Sequence, residues 1–485
     1  MKSISKKKKI LFGLIILVLI LILAFGIYRN SKIKLFDKSA YSTLYKNIEA
    51  SADSFRSQED LRNFISSWAE EKKLDYTVDS AQNIIFSQKA ISRKKKLSPT
   101  VVVVNYNYEN VVDNKKVLAS AAMIASTKIN SGKTTVIFVN NENNDGTAYY
   151  NLSQSYFPKN AKVIYLDYGK HMYVSNKSFA SAVQTVSIPS KKTDVKCDTA
   201  IKIKIKGLKS DCVDTSINNK VNPISLLSTV LTRLKSKSTI AQIANIKVHN
   251  KGNMYADSLE ATILINSYSL ESFTKYLDKR IEAFDKACDD ENCKYSYRVM
   301  KEKNMPETAY SKETFNSLAT LLFTIKNGTI RFDEDSVIPE DYEIDDINSI
   351  ICPTQLRVEN GNIYLDIYSQ AVNSDYLNEA LIDNSTAAKL SNCEINSTSK
   401  TAPFVNKDKK LINILKRTYV KVSDIYGSDF LLNLDADTYF TPMSYLKEIN
   451  PSMNIVHIKE NSKSASTLTN MILCYIQTKG NFLSL

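Results

Sequence analysis

The sequence predicts an α/β protein. A mostly parallel sheet with helices on both faces is interrupted by an inserted α+β domain, and one N-terminal helix precedes it in the membrane. Three observations carry this reading. First, "SPTVVVVNYNYENV" (98–111) sets four valines after a proline, as expected of a strand buried on both faces of a parallel sheet. Two more strand–helix units of the same kind follow it. Second, the pattern changes after about residue 190, where "TAIKIKIKG" alternates strictly and so has one wet face. Third, Ile10 to Tyr28 is a run of nineteen residues without a charge. At about 1.5 Å per residue such a helix nearly spans a bilayer core of roughly 30 Å.

The elements follow in order. Residues 39–66 have helical spacing, and residues 74–86 form an extended pair with a turn at 80–83. "SRKKKLSP" is a solvated basic loop. The three α/β units are strand 101–104 with helix 116–129, strand 134–139 with helix 148–157, and strand 161–167. The insert begins with strand 201–207, and then helix 223–234 opens on Pro223, where a missing N–H costs least. Strands 240–249 and 256–265 and helix 270–284 complete one α+β passage. Helix 312–325, strands 347–358 and 362–368, and helix 374–389 make a second. Strand–helix alternation then resumes: helix 408–426, strand 429–434, helix 442–449, strand 454–458 and helix 463–478. The predicted domains are a cytoplasmic tail at 1–9, a signal anchor at 10–28, a linker at 29–43, an α/β domain at 44–190 and 395–485, and an insert at 191–394.

Charge and cysteine content narrow the function. Of the net charge of +13, +8 lies in residues 1–38, which hold nine Lys/Arg and one acid. The excess therefore belongs to the membrane end and not to a nucleic-acid surface. Lys6–Lys9 directly precede the apolar run, which keeps the N-terminus in the cytoplasm and places the rest outside the cell, in a single-pass arrangement. A cleaved signal peptide is the alternative; the run is longer than an ordinary signal core and no small-residue cleavage site follows. Among seven cysteines, the one close pair is Cys288 and Cys293 in "CDDENC", which suits either a small extracellular disulfide or two buried thiols. No phosphate-binding loop, dinucleotide fingerprint or nucleophile elbow is present. The lone Trp68 lies on an apolar helix face.

An α/β domain interrupted by an α+β insert and then resumed resembles the co-catalytic zinc peptidases, including aminoacyl-histidine dipeptidase, carnosinase and peptidase T. The resemblance spans about residues 44–482. It is carried by "SFRSQEDLRNFISSWAEEKKLDYTVDSAQNIIF", "SPTVVVVNYNYENV", "TTVIFVNNENNDGTAYY", "IKGLKSDCVDTSINNKVNPISLLSTVL" and "NCEINSTSKTAPFVNKDKKLINILKRTYVKVSDIYG". It implies a zinc-exopeptidase-like domain and a lid that also serves for dimerisation. The family's His-x-Asp falls on Asn105 and Asn107, and its Glu-Glu pair on Asn143 and Asn144, with Glu142 as an alternative base position. Its third-strand acid falls on Asp167 and its last histidine near Ser466. In the lid, the substrate-holding arginine falls near Tyr368 and the substrate-facing histidine near Ser210.

These positions match the scaffold and not the chemistry. A bridging ligand needs negative charge on both oxygens, and an amide offers one good acceptor and no charge. An amide cannot take a proton from a metal-bound water either. Two zinc ions carry +4, and one carboxylate remains against it. The chain has three histidines, His171, His249 and His457, none with a partner at i+2 or i+4, and each reads as an exposed or satisfied side chain. The expectation is a membrane-anchored pseudo-peptidase without a bound cofactor, which binds small peptides or serves as an assembly module. Two alternatives stay open. One is an active hydrolase with a rearranged site, for instance with calcium near Asp167, Asp145 and Glu142. The other is a purely structural protein that dimerises through the lid.

Overall fold

The computed structural model describes residues 36–89, 97–128, 132–142, 147–169, 172–209, 213, 215–237, 239–250, 255–288, 293–300, 305–339, 342–406, 410–423, 443–450, 453–461 and 463–479. The expected anchor at Ile10 to Tyr28 and the predicted strand 429–434 lie outside them. Among the described residues no helix is long and apolar enough to cross a membrane.

The first sheet has seven strands: β1 (Tyr76–Val78), β2 (Ile84–Gln88), β3 (Thr100–Tyr106), β4 (Thr134–Asn140), β5 (Lys162–Tyr168), β6 (Tyr173–Ser175) and β7 (Asn454–Glu460). Their spatial order is β1-β2-β4-β3-β5-β7-β6. The four central strands, β4, β3, β5 and β7, run parallel, while β1, β2 and β6 run antiparallel to their neighbours. The valine run explains itself here, because β3 is buried on both faces. Val102, Val104 and Tyr106 enter one apolar layer with α1 (Lys38–Ser51), α2 (Gln58–Glu71), α3 (Val111–Ser126), α4 (Lys410–Val422) and α6 (Ala465–Thr478). Val101 and Val103 enter the other, with Tyr149, Phe157, Ile455 and Leu446 of α5 (Met443–Ile449). Helices thus cover both faces of a mixed, mostly parallel sheet.

One predicted helix is not formed. Residues 148–157 make two 3-10 turns, Thr147–Asn151 and Gln154–Tyr156. Ser153 takes the Ser155 N–H on its side chain, and such local bonds compete with a continuous helix.

The second sheet has nine strands, all antiparallel. Along its main path these are Lys294–Met300, Thr199–Lys206, Ser258–Ile265, Ala241–His249, Ile347–Glu359, Asn362–Ala371, Ala180–Ile188 and Glu394–Thr401, with Gly328–Arg331 paired onto Ile347–Glu359. It therefore takes in Ala180–Ile188 and Glu394–Thr401, which the sequence reading leaves with the flanking α/β segments. The helices Pro223–Ser236, Leu270–Ala287, Lys312–Thr324 and Ser374–Leu390 bury their apolar faces against it. Cys288 and Cys293 form a disulfide at the end of one of them. The chain enters and leaves this sheet side by side. Lys177–Ser178 pairs with Phe404–Val405. Next to them, the Asn406 N–H donates to the Asn176 carbonyl at 2.8 Å and the Asn176 amide donates to the Asn406 carbonyl at 2.7 Å.

Candidate functional site

In open α/β sheets, ligands gather just past the carboxyl ends of the parallel strands. Asn105, Asp167 and Lys459 are the penultimate residues of β3, β5 and β7. The register pairs Tyr165 with Val103 on one side and with His457 on the other, and Asp167 with Lys459. Side chains alternate along a strand, so Asn105, Tyr165, Asp167, His457 and Lys459 share one face at one end of the sheet. Tyr149 reaches the same place from its 3-10 turn, and Tyr173 from β6.

Two linked groups result. In the first, the Tyr149 hydroxyl donates to the Asn105 carbonyl oxygen, and the Asn105 amide donates to the Tyr165 hydroxyl at 3.1 Å. The two tyrosine rings meet edge to face at 6.0 Å, and burial pushes the Tyr149 phenol well above its ordinary range. In the second, Asp167 Oδ2 lies 3.6 Å from His457 Nε2 and 4.0 Å from Lys459 Nζ. Asp167 Oδ1 accepts the Tyr168 N–H at 2.8 Å. Burial raises the Asp167 pKa, but the His457 contact, the Lys459 charge and the Tyr168 N–H outweigh it, so the carboxyl titrates below its usual range. His457 is wholly buried between the rings of Tyr165 and Tyr173, at 4.9 Å and 5.4 Å. It is thus an interior side chain, and it stands beside Asp167.

Asn107 is fully employed. Its amide donates to the carbonyls of Asn141 and Glu142 at 3.0 and 3.2 Å, and its oxygen takes the Glu109 N–H at 2.9 Å. It therefore fastens the loop after β4 to the end of β3. Gln58 does similar work from α2. Its amide donates to the Tyr106 carbonyl at 2.8 Å and the Asn140 oxygen at 2.7 Å, and its oxygen accepts the Tyr108 N–H at 3.0 Å.

The remaining predicted positions divide as follows. Glu142 is exposed, and Ser466 is the second residue of α6, half-buried. Tyr368 is buried in the insert with Val213, Ile217, Tyr255, Ile350 and Cys352. Asn143, Asn144, Asp145, Ser210 and His171 lie outside the described residues. His249 sits far along the insert, its Nδ1 3.0 Å from Asp257. Sequence reading missed Gln58, Tyr149, Tyr165 and Tyr173, and it named His457 only as an exposed or satisfied side chain and did not single out Lys459. Only the β5–β7 register, which joins segments some 290 residues apart, brings the last two to Asp167.

Among the described residues at these strand ends, the donor set does not suit a pair of zinc ions. Asn105 and Asn107 are neutral and already hydrogen-bonded, and the Asp167 charge faces an imidazole and an ammonium. Among the described residues no three His, Cys, Asp or Glu side chains converge as a metal site would require.

No protein-family model matches the chain, and no curated protein matches it. Solved structures do. Aminoacylhistidine dipeptidase from Vibrio alginolyticus superposes over 91% of this chain and 96% of its own length, with 13% identity and a TM-score of 0.55. The aminopeptidase PepT from Bacillus cereus covers 91% of this chain and 99% of its own, at 8% identity and a TM-score of 0.41. A hydantoinase/carbamoylase family amidase from Burkholderia vietnamiensis covers 92% and 98%, at 7% identity and a TM-score of 0.47. The first likeness shows the fold: over this length the chain is folded like that dipeptidase, insert included.

Proposed function

We propose that the chain is a membrane-anchored, extracytoplasmic protein that keeps a metallodipeptidase-like scaffold without hydrolytic chemistry, and that it holds small peptides at the carboxyl end of its parallel strands. One observation carries the reading. The strand-end positions where such a fold does its chemistry are filled by a neutral amide–phenol network, Asn105 with Tyr149 and Tyr165, and by an Asp167 already faced by His457 and Lys459. Neutral amides and phenols at these positions do not bring a water to a hydroxide near neutral pH. Hydrogen bonding to a peptide remains possible chemistry. The Tyr173 hydroxyl is enclosed and without a hydrogen-bond partner among the described residues, and a ligand amide or a water would satisfy it. The apolar run Ile10 to Tyr28 behind Lys6–Lys9 supports the anchor, and the Cys288–Cys293 disulfide suits an oxidising compartment.

The second reading, an active metal-dependent hydrolase, has one observation in its favour: an imidazole, His457, stands beside Asp167. Dipeptide binding and turnover separate the two. The full-length chain in detergent is titrated calorimetrically with a panel of dipeptides and assayed for their hydrolysis with added zinc, cobalt or manganese. The proposal expects saturable binding and no turnover. Metal-dependent turnover would favour the hydrolase, and no binding of any dipeptide would remove the peptide-holding role.

A further inference from the structure

On the opposite face of β7 from the candidate site, a second acid is buried without a counter-charge. Glu460, the last residue of β7, is wholly shielded from solvent within the layer that packs α1, α3, α4 and α6 onto the sheet. Its Oε2 lies 2.9 Å from the Ser120 hydroxyl of α3, and its Oε1 has no hydrogen-bond partner among the described residues. The Ser120 hydroxyl in turn lies 3.0 Å from the Lys116 carbonyl and 2.8 Å from the Thr469 hydroxyl of α6, which lies 2.7 Å from the Ala465 carbonyl. Both charge states can complete this chain: a neutral carboxyl donates to Ser120, which turns to Lys116, and an ionised one accepts from Ser120, while Thr469 donates to Ala465 in each. The ionised form, however, leaves a full charge in an apolar layer with one oxygen unbonded, which is far costlier than a neutral acid there.

The other titratable groups of this layer bring no compensating charge. They are the phenols of Tyr41 and Tyr45 on α1, Tyr76 on β1, Tyr106 on β3, Tyr108 just after it, Tyr168 on β5, Tyr419 on α4 and Tyr475 on α6, and the thiol of Cys474 on α6. Burial pushes the Tyr41 and Tyr475 phenols up, and the Cys474 thiol up to about 11. The nearest lysines on α3 stand at its rim, Lys115 paired with Glu49 and Lys116 5.4 Å from the Tyr45 ring centre.

We infer that Glu460 is a proton-held latch: as a neutral acid it completes the hydrogen-bonded chain that seats α6 on the sheet, and loss of the proton unseats α6, which carries Ser466, along with the strand end that carries His457 and Lys459. The latch acts whether or not the neighbouring site binds peptides. Burial, against a small opposing effect of Ser120, pushes the Glu460 carboxyl up to about 8 from an ordinary 4.5. The unfolded chain ionises in the ordinary range while the folded chain keeps its proton to about 8. The stabilisation is therefore full at the acid end of that window and lost as the pH rises through it.

Glu460→Gln keeps the shape and a donor to Ser120 but cannot ionise. Chemical unfolding of the full-length chain is compared with that of E460Q from about pH 5 to about pH 8. The wild-type unfolding constant should rise relative to the variant's by on the order of tenfold per pH unit. Parallel profiles would overturn the inference. Above about pH 8, α6 amides should exchange hydrogen faster in wild type than in E460Q at the same pH; equal rates would sever the link to α6. Should E460Q not fold, the wild-type infrared difference spectrum decides alone. A protonated-carboxyl band should be present at about pH 7 and vanish by about pH 9, and no such band at about pH 7 would refute a neutral Glu460.

Discussion

At the scale of single residues, Asn107 shows how a position can hold the place of a metal ligand and have a different task. Its amide faces two carbonyl oxygens, those of Asn141 and Glu142, so it has to be a donor. Asn107→Ala would leave two buried carbonyls and the Glu109 N–H without this partner, and should cost about 3 kcal/mol in a denaturant titration. Asn107→Asp, which restores the acid that the resemblance puts there, should cost at least as much, because a carboxylate would then face two acceptors. A variant N107D as stable as the parent would show that the amide is not needed as a donor. The strand-end residues Asn105, Asn107 and Asp167 are legible in the sequence, because each follows an apolar run that can only be an interior strand. Their employment is not legible. A lone His457, a Lys459 and a Tyr149 carry no local mark, and what they touch is decided by pairing between distant segments.

At the scale of elements, the sequence is most informative where one segment determines its own surroundings. The buried runs of β3, β4 and β5 declare themselves, whereas the helical span expected at 39–66 is two helices, α1 and then α2, which runs on to Glu71. The sequence-local pair Ser57 and Asp60 closes a capping box at its start, with Asp60 N to Ser57 Oγ at 3.3 Å and Ser57 N to Asp60 Oδ2 at 2.9 Å. The Asp60 carboxyl titrates below its ordinary range, first because of the Arg56 N–H. Ser57→Ala should cost about 1 kcal/mol in thermal or urea unfolding. No measurable change would mean that packing alone holds α2 and Gln58 in place. Strands that answer to partners are harder to read. Glu394–Thr401 is "EINSTSKT", an edge strand exposed along most of its length, and only its pairing with Ala180–Ile188 makes it a strand. Ala180–Ile188 joins the antiparallel sheet for the same reason.

At the scale of the whole molecule, two sheets with different strand logic are joined where Lys177–Ser178 and Phe404–Val405 run together. The order α/β, α+β, α/β was readable because hydrophobic period changes at each border, from continuous apolar runs to alternation and back. The likeness to aminoacylhistidine dipeptidase at 13% identity extends over 91% of the chain. The scaffold therefore persists where Asn105 and Asn107 stand at the strand ends. We propose that this site has too little negative charge for paired zinc: among the described residues its amides are neutral and Asp167 already faces His457 and Lys459. Zinc stoichiometry tests it most directly: the full-length chain is equilibrated with zinc, dialysed against free buffer, and its metal content measured alongside that of Asp167→Ala. No stoichiometric zinc is expected in either protein. Two zinc ions per chain in the wild type, lost in D167A, would contradict it.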